Sequence, residues 1–266
     1  DTMADVSQAQ SRLARARSTL TEARASLLIG EDTYTRLTPH PAVNLGPVNM
    51  PSGMYKDAEA VLEAARRGNP KVAAYKEDVK AANAVREQAR SAYSPSLSIE
   101  AGPSYSDRDG RSELWTAEVG VAAVVRWNLF NSGADVANSK AAAARIRQSR
   151  RVLYDYMDDL KLNVEETWTQ YLSAQKQLDF YTEAIGYNRT TRNAYEEQFV
   201  MGQRSLLDVL DAESELFNSA TQEATARGNE IVGAYRLYAL AGQFLPVLNI
   251  DDKFLYASQR ESGESK

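Results

Sequence analysis

The chain has 266 residues, 43% of them hydrophobic and 25% charged, a balance that excludes both a disordered polypeptide and one embedded entirely in lipid. It contains no run of about 18 apolar residues, which argues against a transmembrane helix. The net charge of −5 gives no general attraction to nucleic acid or anionic lipid. Cysteine is absent, so disulfides and thiolate metal sites are excluded.

Three helices are predicted before residue 95. The first covers residues 4–36, with Leu13, Leu20 and Leu27 spaced by sevens. The stretch 38–53 carries several prolines and glycines and cannot be helical. A short helix follows over 56–67, and a longer one then runs to residue 93, with Asn69 as its cap and Pro70 in its first turn.

A β-hairpin with one apolar face is predicted next, with a polar turn at 107–110. Its first strand places Leu97, Ile99, Ala101 and Tyr105 on one face. The apolar face of the return strand carries Trp115, Ala117, Val119, Val121, Ala123, Val125 and Trp127. Tryptophan at both ends of an apolar row fits a membrane girdle, and about twelve tilted residues rise roughly 30 Å. The alternative is a half-buried hairpin in a water-soluble sandwich, where the same alternation is expected.

Residues 133–201 form one unbroken helical pattern without proline. At 1.5 Å per residue this helix is roughly 100 Å long, too long to pack inside an ordinary globular domain. Its apolar positions recur at spacings of three, four and seven, which predicts a coiled-coil-like seam. The seam consists of Ile146, Leu153, Leu160, Val164, Trp168, Tyr171, Leu178 and Ile185.

The chain reverses at Gly202, and a final helix is predicted over residues 205–242, followed by a polar tail. This helix and the one at 69–93 together match the length of the long helix. We therefore expect the two shorter helices, stacked end to end, to line the long one as an antiparallel partner.

An internal repeat relates the start of the chain to the final helix: residues 2–9 match residues 205–212, and the register continues to Leu13 and Leu216. The simplest interpretation is two tandem copies of a helix–hairpin–helix unit, with the first largely missing. The chain also opens on Asp1, within a helix-start pattern and without a signal peptide. We therefore expect a fragment whose complete protein carries a second hairpin and long helix upstream.

Three motifs together resemble the TolC family of outer-membrane exit ducts. They are Asn69-Pro70 with the helix ending Ala92-Tyr93-Ser94-Pro95-Ser96-Leu97, the sequence Trp127-Asn128-Leu129-Phe130-Asn131-Ser132-Gly133, and Phe199-Val200-Met201-Gly202-Gln203-Arg204-Ser205-Leu206-Leu207-Asp208-Val209-Leu210-Asp211 at the reversal. The last is the most specific, and the similarity covers nearly the whole chain. It is closest in character to members that serve type I protein secretion.

The resemblance implies a mainly α fold with a membrane β-hairpin, in which long antiparallel helices form an α-helical barrel and the strands of a homotrimer form a twelve-stranded β-barrel. It places the chain in the bacterial outer membrane, with most of it in the periplasm. The segments are 1–36, a helix descending from a first tip; 37–68, an equatorial segment; 69–94, an upper helix; 95–129, the outer-membrane hairpin; 130–201, the long helix; 202–243, the tip turn and returning helix; and 244–266, an equatorial tail. A periplasmic adaptor (membrane fusion protein) would dock at the tips and join an ABC or RND transporter of the inner membrane.

Asp208 and Asp211 share one helix face, and by resemblance they form carboxylate rings at the narrow periplasmic end of a trimer. Mutual repulsion in such rings would raise some of their pKa values and favour multivalent cations. For Asp208 the alternative is structural, because Ser205-x-x-Asp208 has the form of a capping box with Asp in place of Glu. Asp211 lies beyond the positions that capping explains.

Arg204 aligns with the tip arginine of the family, and Asp5 with the acid on the other reversal, so the resemblance implies a latch between them. A solvated arginine at a turn is the alternative. Phe199 stands where the best-known member has a tyrosine, so the phenolic hydrogen bond is missing. Gly202 is explained locally, because the reversal requires a positive φ.

The remaining predicted sites follow from the same resemblance. Met201, Gly202, Gln203 and Ser205 would dock the adaptor, and Tyr105, Trp115 and Trp127 would form the membrane girdle against outer-membrane lipid. The single histidine, His40, lies in the proline-rich linker and is interpreted as structural or solvated. No catalytic set, cofactor motif, metal cluster or nucleic-acid site is predicted.

The sequence thus predicts a passive trimeric channel-tunnel that exports substrates, with type I protein secretion as its first assignment and no enzymatic activity. One alternative is a multidrug efflux duct of the same architecture. The alternative from a different class is a structural coiled-coil protein of the envelope, which gives no role to the strands bounded by tryptophan.

Overall fold

The computed structural model describes residues 3–38, 40–107 and 115–250, with the side chains of residues 4, 5 and 104–118 excepted. The chain order is α1 Met3–Leu37, α2 Ala58–Gly68, α3 Pro70–Ser91, β1 Ser96–Asp107, β2 Trp115–Arg126, α4 Ala134–Val200, α5 Leu206–Leu240 and α6 Phe244–Val247. The predicted elements are thereby confirmed, with small shifts at their ends. The structure differs from the prediction at two points: β1 continues through Asp107, which was predicted to lie in the turn, and α6 was not predicted. None of the described helices combines the length and hydropathy that crossing a membrane requires.

The chain divides into two compact units, one comprising residues 62–162 and the other residues 1–61 with 163–266. In the 62–162 unit, α3 lies antiparallel to the first part of α4. The rings of Tyr75 and Tyr156 are 5.0 Å apart, and the Tyr156 hydroxyl donates to the Asn69 side-chain oxygen at 3.3 Å. That same oxygen accepts from the backbone N–H groups of Lys71 and Val72, which confirms Asn69 as the helix cap.

The hairpin pairs in the register that the apolar pattern requires. Leu97 lies opposite Val125, and Ala101 lies opposite Val121, so the apolar residues of both strands share one face. On the other face, the Arg126 guanidinium contacts the Glu100 carboxylate at 2.7 Å. This sheet has two strands among the described residues. The hairpin thus has one apolar and one polar face.

In the other unit, α5 lies antiparallel to the second part of α4. The side-chain amide of Asn188 donates to the Ser219 hydroxyl at 2.7 Å, and Arg192 contacts Glu213 at 3.3 Å. Farther from the reversal, Gly233 faces Tyr171 so closely that a Cβ on this glycine would lie 3.3 Å from the tyrosine Cβ. The antiparallel pairing expected for each shorter helix with α4 is therefore present within its own unit.

The seam on α4 also follows the predicted positions. Four of the eight predicted residues are buried (Ile146, Leu160, Val164 and Tyr171), and the other four are half-buried (Leu153, Trp168, Leu178 and Ile185). The structure adds Ala142, Thr167 and Ala174 to the buried set. These additions are small or polar residues, which a pattern of large apolar side chains does not reveal.

Two tyrosines on α5 hold the linker between α1 and α2. The Tyr235 hydroxyl donates to the Asn49 carbonyl at 2.9 Å, and the Tyr238 hydroxyl donates to the Ser52 and Gly53 carbonyls at 3.1 and 2.8 Å. The Tyr55 ring lies 5.2 Å from the Tyr238 ring. The hydroxyl of Tyr238 is the donor in these bonds, and burial raises its pKa above the ordinary value of 10.0.

The heptad leucines of α1 remain exposed. Leu13, Leu20 and Leu27 are about half exposed or more, although their spacing by sevens is typical of a packed seam. Among the described residues, α1 approaches α5 near the reversal.

Candidate functional site at the helix reversal

The turn between α4 and α5 is formed by local hydrogen bonds around one glycine. Gly202 has φ +75°, its N–H donates to the Phe199 carbonyl at 2.9 Å, and the Gln203 N–H donates to the Gln198 carbonyl at 2.8 Å. A Cβ at Gly202 would meet no atom within 4 Å, so glycine is required here by the backbone conformation and not by lack of space. This confirms the local reason predicted for Gly202.

The first turn of α5 is closed by a capping box between Ser205 and Asp208, which is the structural alternative that the sequence left open for Asp208. The Asp208 N–H donates to the Ser205 hydroxyl oxygen at 3.2 Å, and the Asp208 carboxylate accepts from the Ser205 hydroxyl at 2.8 Å and from the Ser205 N–H at 3.2 Å. These bonds, first that from the hydroxyl and then that from the backbone, lower the pKa of Asp208, with a smaller contribution from Arg204. Within one chain the pKa of Asp208 is therefore lowered. The raised pKa values expected for carboxylate rings would require several copies of the chain.

Arg204 is held by the reversal itself. Its guanidinium lies 4.1 Å from the centroid of the Tyr195 ring, its Nε donates to the Gln198 side-chain oxygen at 3.0 Å, and one terminal nitrogen is 4.0 Å from the Asp208 carboxylate. These contacts preorganise the arginine on the surface of the turn. The predicted partner, the Asp5 side chain, lies outside the described residues, so the latch stays a prediction.

Asp211 has a partner that the sequence did not reveal. The Arg12 guanidinium on α1 contacts the Asp211 carboxylate at 2.6 Å. Asp208 is therefore bonded within its own turn, whereas Asp211 is paired with a different helix. The only available signal was the internal repeat, which places the starts of α1 and α5 in equivalent positions, but α1 carries several arginines and the repeat does not single one out.

The residues predicted to dock an adaptor lie on the surface. Met201 is 62% exposed, and Gly202, Gln203 and Ser205 are also exposed. Val200, which was not predicted, is 80% exposed beside them. Phe199 is about one-third exposed. The tip thus presents an apolar pair, Val200 and Met201, beside the polar residues of the turn, a composition suited to protein contact.

The predicted membrane face of the hairpin is uncovered in this chain. Ile99, Val119 and Val121 are exposed by 77%, 85% and 75%, although they are apolar and aligned on one face. The indole N–H of Trp127 donates to the Tyr93 carbonyl at 3.1 Å, which fixes this ring directly after β2. The side chains of the other predicted girdle residues, Tyr105 and Trp115, lie outside the described set.

The part of the chain that the structure describes contains no group of three or more acidic or histidine side chains placed to hold a metal. Two surfaces of the described residues are the candidate functional sites: the charged reversal and the apolar hairpin face.

Comparison with known proteins identifies the architecture. The sequence model of the outer membrane efflux protein family matches residues 61–243. The outer membrane efflux protein BepC of Brucella suis is 23% identical over 91% of this chain and 53% of its own length. The alkaline protease secretion protein AprF of Pseudomonas aeruginosa is 27% identical over 74% of this chain and 40% of its own length. The chain thus spans about half the length, or less, of these curated relatives.

A solved structure gives the same fold. The open state of the MtrE outer membrane channel of Neisseria gonorrhoeae matches with a TM-score of 0.71 at 18% identity, covering 89% of this chain and 55% of that one. The resemblance drawn from the three sequence motifs is confirmed by the match to the family model, and with it the outer-membrane location.

Proposed function

The chain belongs to the outer membrane efflux protein family, and on that premise we propose that its whole protein forms a trimeric outer-membrane channel. The internal repeat supports a protein with two hairpins, so that three copies supply a barrel of twelve strands. A passive conduit needs no chemical transformation, and its function lies in the geometry of the tunnel and the gating of its entrance.

The observation that carries this proposal is the uncovered apolar face of the hairpin. Three aligned apolar side chains with 75% or more exposure are unfavourable in water, because roughly 25 cal/mol is lost for each Å² of apolar surface left hydrated. Lipid removes this cost. The opposite face, with its Glu100–Arg126 ion pair, suits a water-filled lumen.

The long helix that follows the hairpin supports a tunnel. α4 begins at Ala134, shortly after β2 ends at Arg126, and ends at the reversal at Val200. At 67 residues it is roughly 100 Å long, a length that suits a periplasmic span. The exposed tip at 200–205 is then the surface that meets a periplasmic adaptor, which in turn joins an ABC or RND transporter in the inner membrane.

For the cargo we propose protein substrates of a type I secretion system. The relative named for protease secretion, AprF, supports this assignment at 27% identity. Small-molecule efflux is the second candidate, because BepC, named as an efflux protein, matches a larger share of the chain. Co-purification of the transporter from native membranes separates these assignments: a protein-exporting ABC transporter supports secretion, and a drug transporter supports efflux.

The membrane assignment is tested by a matched pair of substitutions in β2. Val121→Arg places a cation on the proposed lipid face near mid-strand, where it is expected to cost about 2–4 kcal/mol. Ala122→Arg places the same charge on the opposite face, beside Glu100. We expect the first variant to disappear from the outer membrane and the second to accumulate normally, as measured by membrane fractionation and heat-modifiable electrophoretic mobility. Equal amounts of both variants in the membrane would contradict the proposal and favour a water-soluble hairpin.

A further inference from the structure

The ion pair between Arg12 and Asp211 joins two helices at the reversal end of the chain. The nitrogen–oxygen distance is 2.6 Å, and the Arg12 side chain is 27% exposed, compared with 64% for Asp211. The arginine is thus partly enclosed between the helices, while the carboxylate faces outward. The positive charge of Arg12 on α1 therefore compensates the negative charge of Asp211 on α5.

Asp208 and Asp211, which lie in the first two turns of α5, therefore have different surroundings. Asp208 accepts two hydrogen bonds from Ser205, and its nearest cation, Arg204, is 4.0 Å away and already engaged with Tyr195 and Gln198. Asp211 has a full positive charge in direct contact. A passing cation therefore meets a weakly compensated carboxylate at Asp208, with its arginine at 4.0 Å, and a strongly compensated one at Asp211, with its arginine at 2.6 Å.

We propose that Arg12 sets the cation preference of the channel entrance by neutralising Asp211, so that Asp208 is the carboxylate that attracts permeating cations. This inference rests on the proposed channel function. In a trimer, loss of Arg12 would uncover one additional negative charge per copy at the same level of the pore. Unscreened charges of one sign that line a narrow opening concentrate the opposite ion within a Debye length of about 8–10 Å.

The test uses the full-length protein reconstituted in planar lipid bilayers. Arg12→Gln is expected to lower the Mg²⁺ concentration that half-blocks the current by roughly threefold to tenfold, and to shift the reversal potential in a KCl gradient toward K⁺ selectivity. Asp211→Asn leaves Arg12 uncompensated and is expected to shift both quantities in the opposite direction. The double variant, with neither charge, is expected to lie near the wild type.

The matched control is Arg17→Gln, which removes the same charge from α1 five residues away, roughly 140° around the helix. It is expected to leave block and selectivity unchanged. If Arg12→Gln behaves like Arg17→Gln, the role assigned to Arg12 is wrong although the channel exists. If the wild type shows no conductance, the proposed function fails instead. If Arg12→Gln does not insert into the bilayer, Asp211→Asn alone decides the test. Ion selectivity of Asp211→Asn equal to that of the wild type would then overturn the inference.

Discussion

The α4–α5 pair is held differently at its two ends. Far from the reversal, its contacts are apolar and close: Val164 and Leu237 are at most 1% exposed, and Gly233 faces Tyr171 directly. Near the reversal, the same two helices are joined by Asn188 with Ser219 and by Arg192 with Glu213. Burial stabilises the first region irrespective of salt, whereas the second depends on polar contacts that water and ions can replace.

In the conduit proposed above, this difference would keep the helix pair assembled while the entrance rearranges. A close-packed apolar seam resists sliding, because separating it exposes surface and leaves voids. A seam of hydrogen bonds and ion pairs loses less when it opens, because each net contribution is only about 1 kcal/mol. The reversal end is therefore the part of the pair that can rearrange at low cost.

The largest effect that follows from this comparison is expected at Leu237. Leu237→Ala removes a fully buried side chain from the apolar region and should lower the free energy of unfolding by about 2–5 kcal/mol. Val232→Ala on the same helix is the control, since Val232 is 65% exposed, and it should change that free energy by less than about 0.5 kcal/mol. Denaturant titration of the detergent-solubilised protein measures both. Equal effects would mean that burial in the single chain does not identify the rigid region.

A smaller effect is expected at Asn188. Asn188→Ala removes the bond to Ser219 and should destabilise the reversal half of the pair by about 1 kcal/mol. Asn188→Leu replaces it with an apolar side chain of similar size and should be nearly neutral or stabilising, because a polar group within a seam contributes more to register than to stability. Amide hydrogen exchange across residues 180–225 measures local opening, with the exposed Asn193→Ala as the control. Faster exchange in Asn188→Leu than in Asn188→Ala would contradict the expectation that an apolar side chain compensates for the lost hydrogen bond.

Most of the fold could be predicted because its signals are local or periodic. The spacing of apolar residues in α4 identifies its seam, and the alternation in β1 and β2 fixes which side chains share a face. The pattern Ser205-x-x-Asp208 identifies a helix cap formed by two residues three positions apart. Each of these signals lies within a few residues of sequence, where one geometry dominates.

The site was predicted less completely because its decisive contact is distant in sequence. Arg12 and Asp211 meet only once α1 and α5 lie side by side, and the choice of Arg12 among the arginines of α1 depends on helix rotation. The sequence likewise gave no partner for Arg204 within its own turn, although Tyr195 and Gln198 lie only a few residues away. The family resemblance implied Asp5 as the partner of Arg204, whereas the described contacts of Arg204 are local.

The smallest effect concerns acid and the capping box. Because the pKa of Asp208 is lowered below its ordinary value of 3.8, the folded state binds this proton less tightly than the unfolded state. The cap therefore adds stability at pH values above 3.8 and loses it as the pH falls through the folded pKa. Hydrogen exchange of the first turn of α5, followed from neutral pH into acid, should show this loss in the wild type.

Two variants separate the cap from general acid destabilisation. The Asp208→Asn variant has no titratable group at this position, so the first turn of α5 should not show the acid-dependent loss of cap stability. Ser205→Ala removes the leading cause of the shift, so the pKa of Asp208 should return toward its ordinary value, and the loss should shrink. The region around Leu237, which is held by apolar contacts, serves as the internal reference in each sample. An acid response in Asp208→Asn that equals the wild type would assign the effect to other carboxylates and not to the cap.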